Sequence, residues 1–284
     1  MDVEQLQGAV QRLVWPDHGD LNCGESGHPA GHSCLLASDG TGIDEILREL
    51  SNWYGTPLTQ DSALAALPSD IPVSWECVWA YGGRWIGLGR DTSAEVARPL
   101  LTVAHRPAPS TAGLPADASW VDRLVASTGW EPRELSEVDW ADIESRLGTR
   151  LPSDYKRLID TFGDGLFNSL LDVFTPDNVI WHTEYFARQG QESWEPHPPF
   201  PAPGGLVPWA GNEHEQSFYW VADDPDPDRW TVYATYEGPQ EGIRFDCTAS
   251  EFLFRQLTDP ENPFSADYFR AHWFQACDPS DERS

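Results

Sequence analysis

The stretch "HGDLNCGESGHPAGHSC" carries His18, Cys23, His28, His32 and Cys34. Thiolates and imidazoles are the ligands of tetrahedral Zn²⁺. The spacing from Cys23 to Cys34 matches neither a CxxC knuckle nor a standard finger, so this stretch is read as a polar loop holding no metal or other cofactor. "DDPDPD", from Asp223 to Asp228, lines up carboxylates as a calcium loop does. It lacks the mid-loop glycine and the distant glutamate, and two prolines stiffen it, so a solvated turn is expected. Clustered carboxylates of this kind can also pair with arginines of a partner. The glycines at 83, 87 and 89 fall inside apparent strands rather than between a strand and a helix, which removes a phosphate loop. No GxSxG elbow, HExxH pair or P-loop occurs. Cys77 and Cys247 sit in apolar strand patterns and read as core thiols. No catalytic residue is identified, and the chain is read as a non-enzyme. A zinc-dependent enzyme hosted by the front part is the alternative.

The elements around these residues follow from periodicity. Val3, Leu6, Val10 and Leu13 have helical spacing, as do Ile43, Ile46, Leu47, Leu50 and Trp53, with Gly55 as a stop. "VSWECVWAYGGRWIGLGRD" reads as a hairpin turning at Gly82-Gly83, and "PLLTVAH" as a third strand. "RPAPSTAGLPADAS" has no periodicity and marks a boundary. The expected organisation is a small α+β domain over 1–107, a linker over 108–117 and a second domain over 118–277. In the second, Trp140, Ile143 and Leu147 form one apolar stripe and Tyr155, Leu158, Ile159 and Phe162 another. Gly148 suits a left-handed helix end, Ser153 an N-cap and Gly163 a stop. Pro152 holds Leu151 extended, so the two stripes become a helical hairpin. "SLLDVFTP", "LVPWAG", "SFYWVADD", "WTVYATY" and "GIRFDC" read as strands and "ASEFLFRQL" as a helix. Helices leading a run of strands give α+β, with a helical hairpin on a mainly antiparallel sheet.

With 46 acidic and 18 basic residues the formal net charge is −28. The part up to Ser110 accounts for −8 and the remainder for −20. Such a field repels nucleic acid and anionic membranes and attracts basic proteins. No run of about 18 apolar residues is present to span a bilayer. The N-terminus lacks the basic and apolar regions of a signal peptide, so a cytoplasmic location is expected. Five scattered cysteines suit reduced thiols. One lysine beside 17 arginines suits a GC-rich, actinobacterial source. Of the tryptophans at 75, 79, 85, 209, 220 and 230, most are expected in the core and one or two at an interface.

Trp140, Ile143, Glu144, Leu147, Gly148, Leu151, Pro152, Asp154, Tyr155 and Gly163 together form a pattern that resembles the SUKH superfamily. That superfamily includes yeast cell-wall-synthesis regulators and many bacterial immunity proteins. "LVPWAGNEHEQSFYWVADDPDPDRWTVYATY" is similar to its second half and "TASEFLFRQL" to its closing helix, so the resemblance covers roughly residues 118–275. The "GNEHEQ" turn departs from the family's Gly-Asn-Gly ordering. The first domain is similar to an uncharacterised actinobacterial N-terminal region. The resemblance implies an immunity protein, or antitoxin, that binds and occludes a toxin. Together with the charge it points to a basic protein toxin as partner, a nuclease being one such protein. The residues expected to meet it are Asp172, Asp177, Glu184, Glu213, Glu215, Asp223, Asp224, Asp226 and Asp228. A regulatory scaffold, as among the yeast members, is a further reading.

Overall fold

The structure is a computed structural model that describes residues 1–15, 19–24, 28, 30–93, 95–133, 135–188, 196–237, 241–266 and 268–277. The chain divides into two compact units, one of residues 1–109 with the chain from Phe269 onward, the other Ser110–Tyr268. Among the described residues no helix is long and apolar enough to cross a membrane.

The first unit contains α1 (Val3–Val14), β1 (His32–Leu36), α2 (Ile43–Tyr54), the short α3 (Asp61–Leu64), β2 (Val73–Tyr81), β3 (Arg84–Asp91) and β4 (Arg98–His105). The strands form an antiparallel sheet in the order β1-β4-β3-β2. Asp2 and Gln5 close a capping box that starts α1. Leu6, Val10 and Val14 of α1 and Ile46, Leu50 and Tyr54 of α2 pack on Trp79, Ile86, Leu88, Leu101 and Val103. Trp53, expected on that buried face, is 52% exposed, and Tyr54 is buried in its place. The reason is helical geometry: the line through Ile43, Ile46 and Leu50 continues to position 54 at i+4, leaving position 53 on its flank. Ala63, Leu67 and Val78 form a smaller cluster against Trp75 and Trp85. Gly55 ends α2 with φ of 74°, and a Cβ there would lie 2.5 Å from Gln275 Cγ and 2.6 Å from the Ala276 carbonyl. No other residue type fits this turn. The sequence reading extends the second domain to residue 277, whereas contacts place the chain from Phe269 with the first unit. Phe269 meets Tyr81 and Trp273 edge-on, and the Tyr81 and Trp273 rings lie 4.6 Å apart at a tilt.

The second unit contains α4 (Trp120–Thr128), α5 (Trp140–Leu147), α6 (Ser153–Phe162), β5 (Gly165–Phe167), β6 (Leu171–Val173), α7 (Pro176–Ala187), β7 (Gly205–Asn212), β8 (Gln216–Ala222), β9 (Thr231–Tyr236), β10 (Gly242–Phe245) and α8 (Ala249–Thr258). Its strands lie in the order β10-β9-β8-β7-β6-β5, each pair antiparallel. The fold is therefore α+β, as the order of elements in the sequence predicts. Side chains alternate across β8. Phe218 packs against Phe252 of α8 and Trp220 against Tyr155 of α6. Tyr219 and Val221 join Leu206, Tyr233 and Phe186 of α7 in a separate cluster. Covered on both faces, β7 is buried over nearly its whole length. Neither α4 nor α7 is apparent in the apolar periodicity. Their starts are nevertheless written locally: Ser119 makes a capping box with Asp122, and Thr175 caps α7 ahead of Pro176.

Candidate functional site

The α5–α6 hairpin is built from the motif residues. Ile143, Leu147, Leu151 and Tyr155 are buried. Gly148 ends α5 in the left-handed conformation at φ 80°, a position that favours glycine. Glu144 then ties the corner: its carboxylate accepts the Leu151 N–H at 2.9 Å and forms an ion pair with Lys156. Burial alone raises the Glu144 carboxyl. The hydrogen bonds from Lys156 and Leu151, with the charges of Lys156 and Arg150, outweigh it and hold the carboxyl below its ordinary range. The Tyr155 hydroxyl donates to the Phe174 carbonyl at 2.6 Å, and burial pushes this phenol well above its usual pKa. Trp140 sits at the edge, donating from Nε1 to Asp160 at 3.3 Å, with Lys156 over its ring at 5.8 Å. Gly163 closes α6 at φ 73°.

Ser153 is not the N-cap of α6. Pro152 takes that position without a side-chain cap, and the Ser153 N–H is met by Asp228, 75 residues away in the chain. The carboxylate that satisfies this helix start arrives through tertiary packing, which local sequence cannot encode. Much of the acidic turn is engaged in the same way. Asp223 pairs with Arg244 at 2.6 Å, Asp224 with Arg229 at 3.3 Å and Asp226 with Arg150 at 3.4 Å. Asp177, in the first turn of α7, holds Arg146 at 2.8 Å, and Glu184 holds Arg188 at 3.1 Å.

The nine acidic residues do not form one patch. Asp223, Asp224, Asp226 and Asp228 follow β8, whereas Glu213 and Glu215 precede it. The strand's length, about 3.3 Å per residue, separates the two groups. Asp172 on β6 pairs in register with Gly211 and so belongs to the Glu213 end. Glu213 and Glu215 are exposed and have no ion-pair partner among the described residues. Glu215 adopts φ of 61° in the turn.

Trp181 and Tyr185 of α7 form a feature that sequence reasoning missed. They are 57% and 44% exposed and stack at 5.2 Å with an interplanar angle of 6°. Their i, i+4 spacing is the available signal once α7 is recognised. The tryptophans at 79, 209, 220 and 230 are buried, and those at 75 and 85 are half-buried. Among the described residues the exposed ones are Trp15, Trp53 and Trp181.

The first unit brings together the residues that sequence spacing had assigned to a polar loop. "HSCLL" is not loop but β1, paired with β4 so that His32 faces Ala104 and Cys34 faces Thr102. Backbone pairing, not apolar alternation, makes this strand. His32 and Cys34 are two residues apart and therefore share a face. The Gly31 N–H donates to the Leu21 carbonyl at 3.3 Å, which holds Leu21 beside the start of β1. Asn22 Oδ1 accepts the Gly24 N–H at 3.0 Å, which turns the chain just after Cys23. Cys23, His28, His32 and Cys34 each then offer a ligand atom, and these atoms lie within 4.8 Å of one another. Burial, and then the neighbouring His28 charge, lower the His32 pKa, and Asp70 opposes them. His18 lies outside the described residues. Cys77 is buried in β2, while Cys247 lies beyond the end of β10 rather than within a strand. Burial pushes both thiols up to about 12.

No curated protein and no solved structure matches the chain. Residues 137–253 match the SUKH_6 family model, described as SMI1-KNR4 cell-wall. They begin just before α5 and end within α8, so the matched stretch takes in the helical hairpin and the strands β5 to β10, consistent with a SUKH domain.

Proposed function

We propose that this protein is an immunity protein whose SUKH domain binds and occludes a basic protein toxin. SUKH families include immunity proteins, and the carrying observation is that the half of the chain with the match also holds a net charge of −20. Long-range attraction of that sign speeds encounter with a cationic protein. Contact is made by the outward face of α7, where stacked Trp181 and Tyr185 supply apolar anchors beside Glu184. Aromatic faces and carboxylates together suit arginine and lysine side chains. Glu213 and Glu215 add unneutralised charge at the other end of β8, where Asp172 also lies. Asp223, Asp224, Asp226 and Asp228 contribute to the overall field, while their carboxylates hold arginines and the α6 start.

Co-expression with a basic toxin encoded beside this gene, followed by growth and binding measurements, tests the proposal. Trp181→Ala is expected to weaken binding about 30-fold, the cost of a central aromatic anchor of about 2 kcal/mol. Reversing Glu213 and Glu215 to lysine is expected to slow association about tenfold at low salt and to flatten its salt dependence. Both changes are at exposed positions, so folding should persist. If cells carrying either variant are protected as well as wild type, with unchanged association rates, the acidic and aromatic contact surface is wrong.

A further inference from the structure

We propose that Cys23, His28, His32 and Cys34 bind one zinc-type divalent cation as a four-ligand structural site in the first unit. The inference stands apart from toxin binding, which is assigned to the other unit.

The argument is geometric. Tetrahedral zinc, with bonds of about 2.3 Å to sulfur and about 2.0–2.1 Å to nitrogen, sets ligand-to-ligand separations of about 3.3 Å for N···N and about 3.5 Å for S···N. The His28 Nδ1 atom lies 3.4 Å from His32 Nε2, 3.2 Å from Cys23 Sγ and 3.6 Å from Cys34 Sγ. The three separations that share His28 therefore match edges of a coordination tetrahedron, and all four ligand atoms lie within 4.8 Å of one another. Cys23 comes from the turn at Cys23–Gly24, His32 and Cys34 from the paired strand β1, and His28 from outside both. Thr102 Oγ1, opposite Cys34 in register, lies 3.6 Å from its sulfur, within reach to donate to a thiolate. Two thiolates neutralise the charge of a divalent ion, and binding releases the two thiol protons to solvent. A cleft of about 270 Å³ lined by His28, Cys34 and Asp91 gives the ion an access path.

Four protein ligands fill a tetrahedral shell and leave no position for water or substrate, so the site is structural rather than catalytic. Its work is to pin Cys23 and His28 to β1.

The test uses the full chain, expressed with zinc supplementation and purified without chelator. Elemental analysis is expected to find one zinc per chain, and Cys23→Ser and Cys34→Ser are each expected to lose most of it. Protein stripped of metal is then titrated with Co²⁺. The expected result is saturation at one equivalent, with sulfur-to-cobalt charge transfer and intense tetrahedral visible bands. The charge-transfer intensity is expected to fall by about half in Cys23→Ser, because one of two thiolates is removed. A chelator should lower the thermal midpoint of wild type and leave that of Cys23→Ser unchanged. This comparison needs only that the variant fold, which circular dichroism checks. The proposal is overturned by sub-stoichiometric metal with no tetrahedral cobalt spectrum in wild type. It is equally overturned by full metal retention in the Cys23→Ser, Cys34→Ser double variant, or by a Cys23–Cys34 disulfide that persists under zinc supplementation.

Discussion

Replacing Glu144 by glutamine tests the account of the α5–α6 hairpin most directly. The Glu144 and Lys156 side chains are 19% and 25% exposed, so their ion pair is only partly screened. Leu151, whose N–H the same carboxylate accepts, is 3% exposed. A hydrogen bond to a charged group contributes about 1.5–3 kcal/mol, and a neutral one about 0.5–1.5 kcal/mol. Glutamine keeps an oxygen for Leu151 but loses the charge, so Glu144→Gln should cost about 1–2 kcal/mol at neutral pH. Glu144→Ala, which leaves the buried Leu151 N–H unmet, should cost about 2–4 kcal/mol. For a body of this size 1–2 kcal/mol lowers Tm by about 2–8 °C. Urea unfolding followed by fluorescence and circular dichroism reads the difference. The sign with pH follows from the carboxyl being lowered in the folded state. Its contribution is complete above the unfolded value of about 4.3 and is lost as pH falls through the folded value. The gap between wild type and Glu144→Gln should therefore close under acid conditions below that range. A Glu144→Gln protein as stable as wild type at pH 7, or a gap that stays constant into acid, refutes the role given to this carboxylate.

Tyr155→Phe removes the hydroxyl that donates to the Phe174 carbonyl while keeping the ring against Trp220. A loss of about 1–2 kcal/mol is expected in chemical unfolding; an unchanged midpoint would mean that this bond contributes nothing net. Cys77 and Cys247, with thiols pushed up to about 12, should resist iodoacetamide at pH 8. Their alkylation should run about 10³-fold slower than that of a free thiol, read by mass spectrometry of peptides, and labelling of either at the free rate would contradict its raised pKa.

Periodicity alone exposed the elements whose partners are near in sequence or whose faces are uniformly apolar. The helices beginning at Val3, Ile43, Trp140 and Ser153, the hairpin at Gly82-Gly83 and the strands from β6 to β10 are of this kind. All but the exposed β10 have an apolar spacing that only one secondary structure can bury. The α7 helix escaped because aromatic and β-branched residues run around it, and the strand β1 because five residues without alternation carry no period. At the candidate sites the division is sharper. The acid surplus and the Cys and His residues are written in the chain. Tertiary structure alone decides that Asp226 and Asp228 serve Arg150 and Ser153, and that Cys23 reaches His28 and Cys34. The physical reason is that burial of apolar area is non-directional and leaves a local imprint on sequence. A hydrogen bond or ligand bond depends on direction and distance between groups that packing brings together from far along the chain.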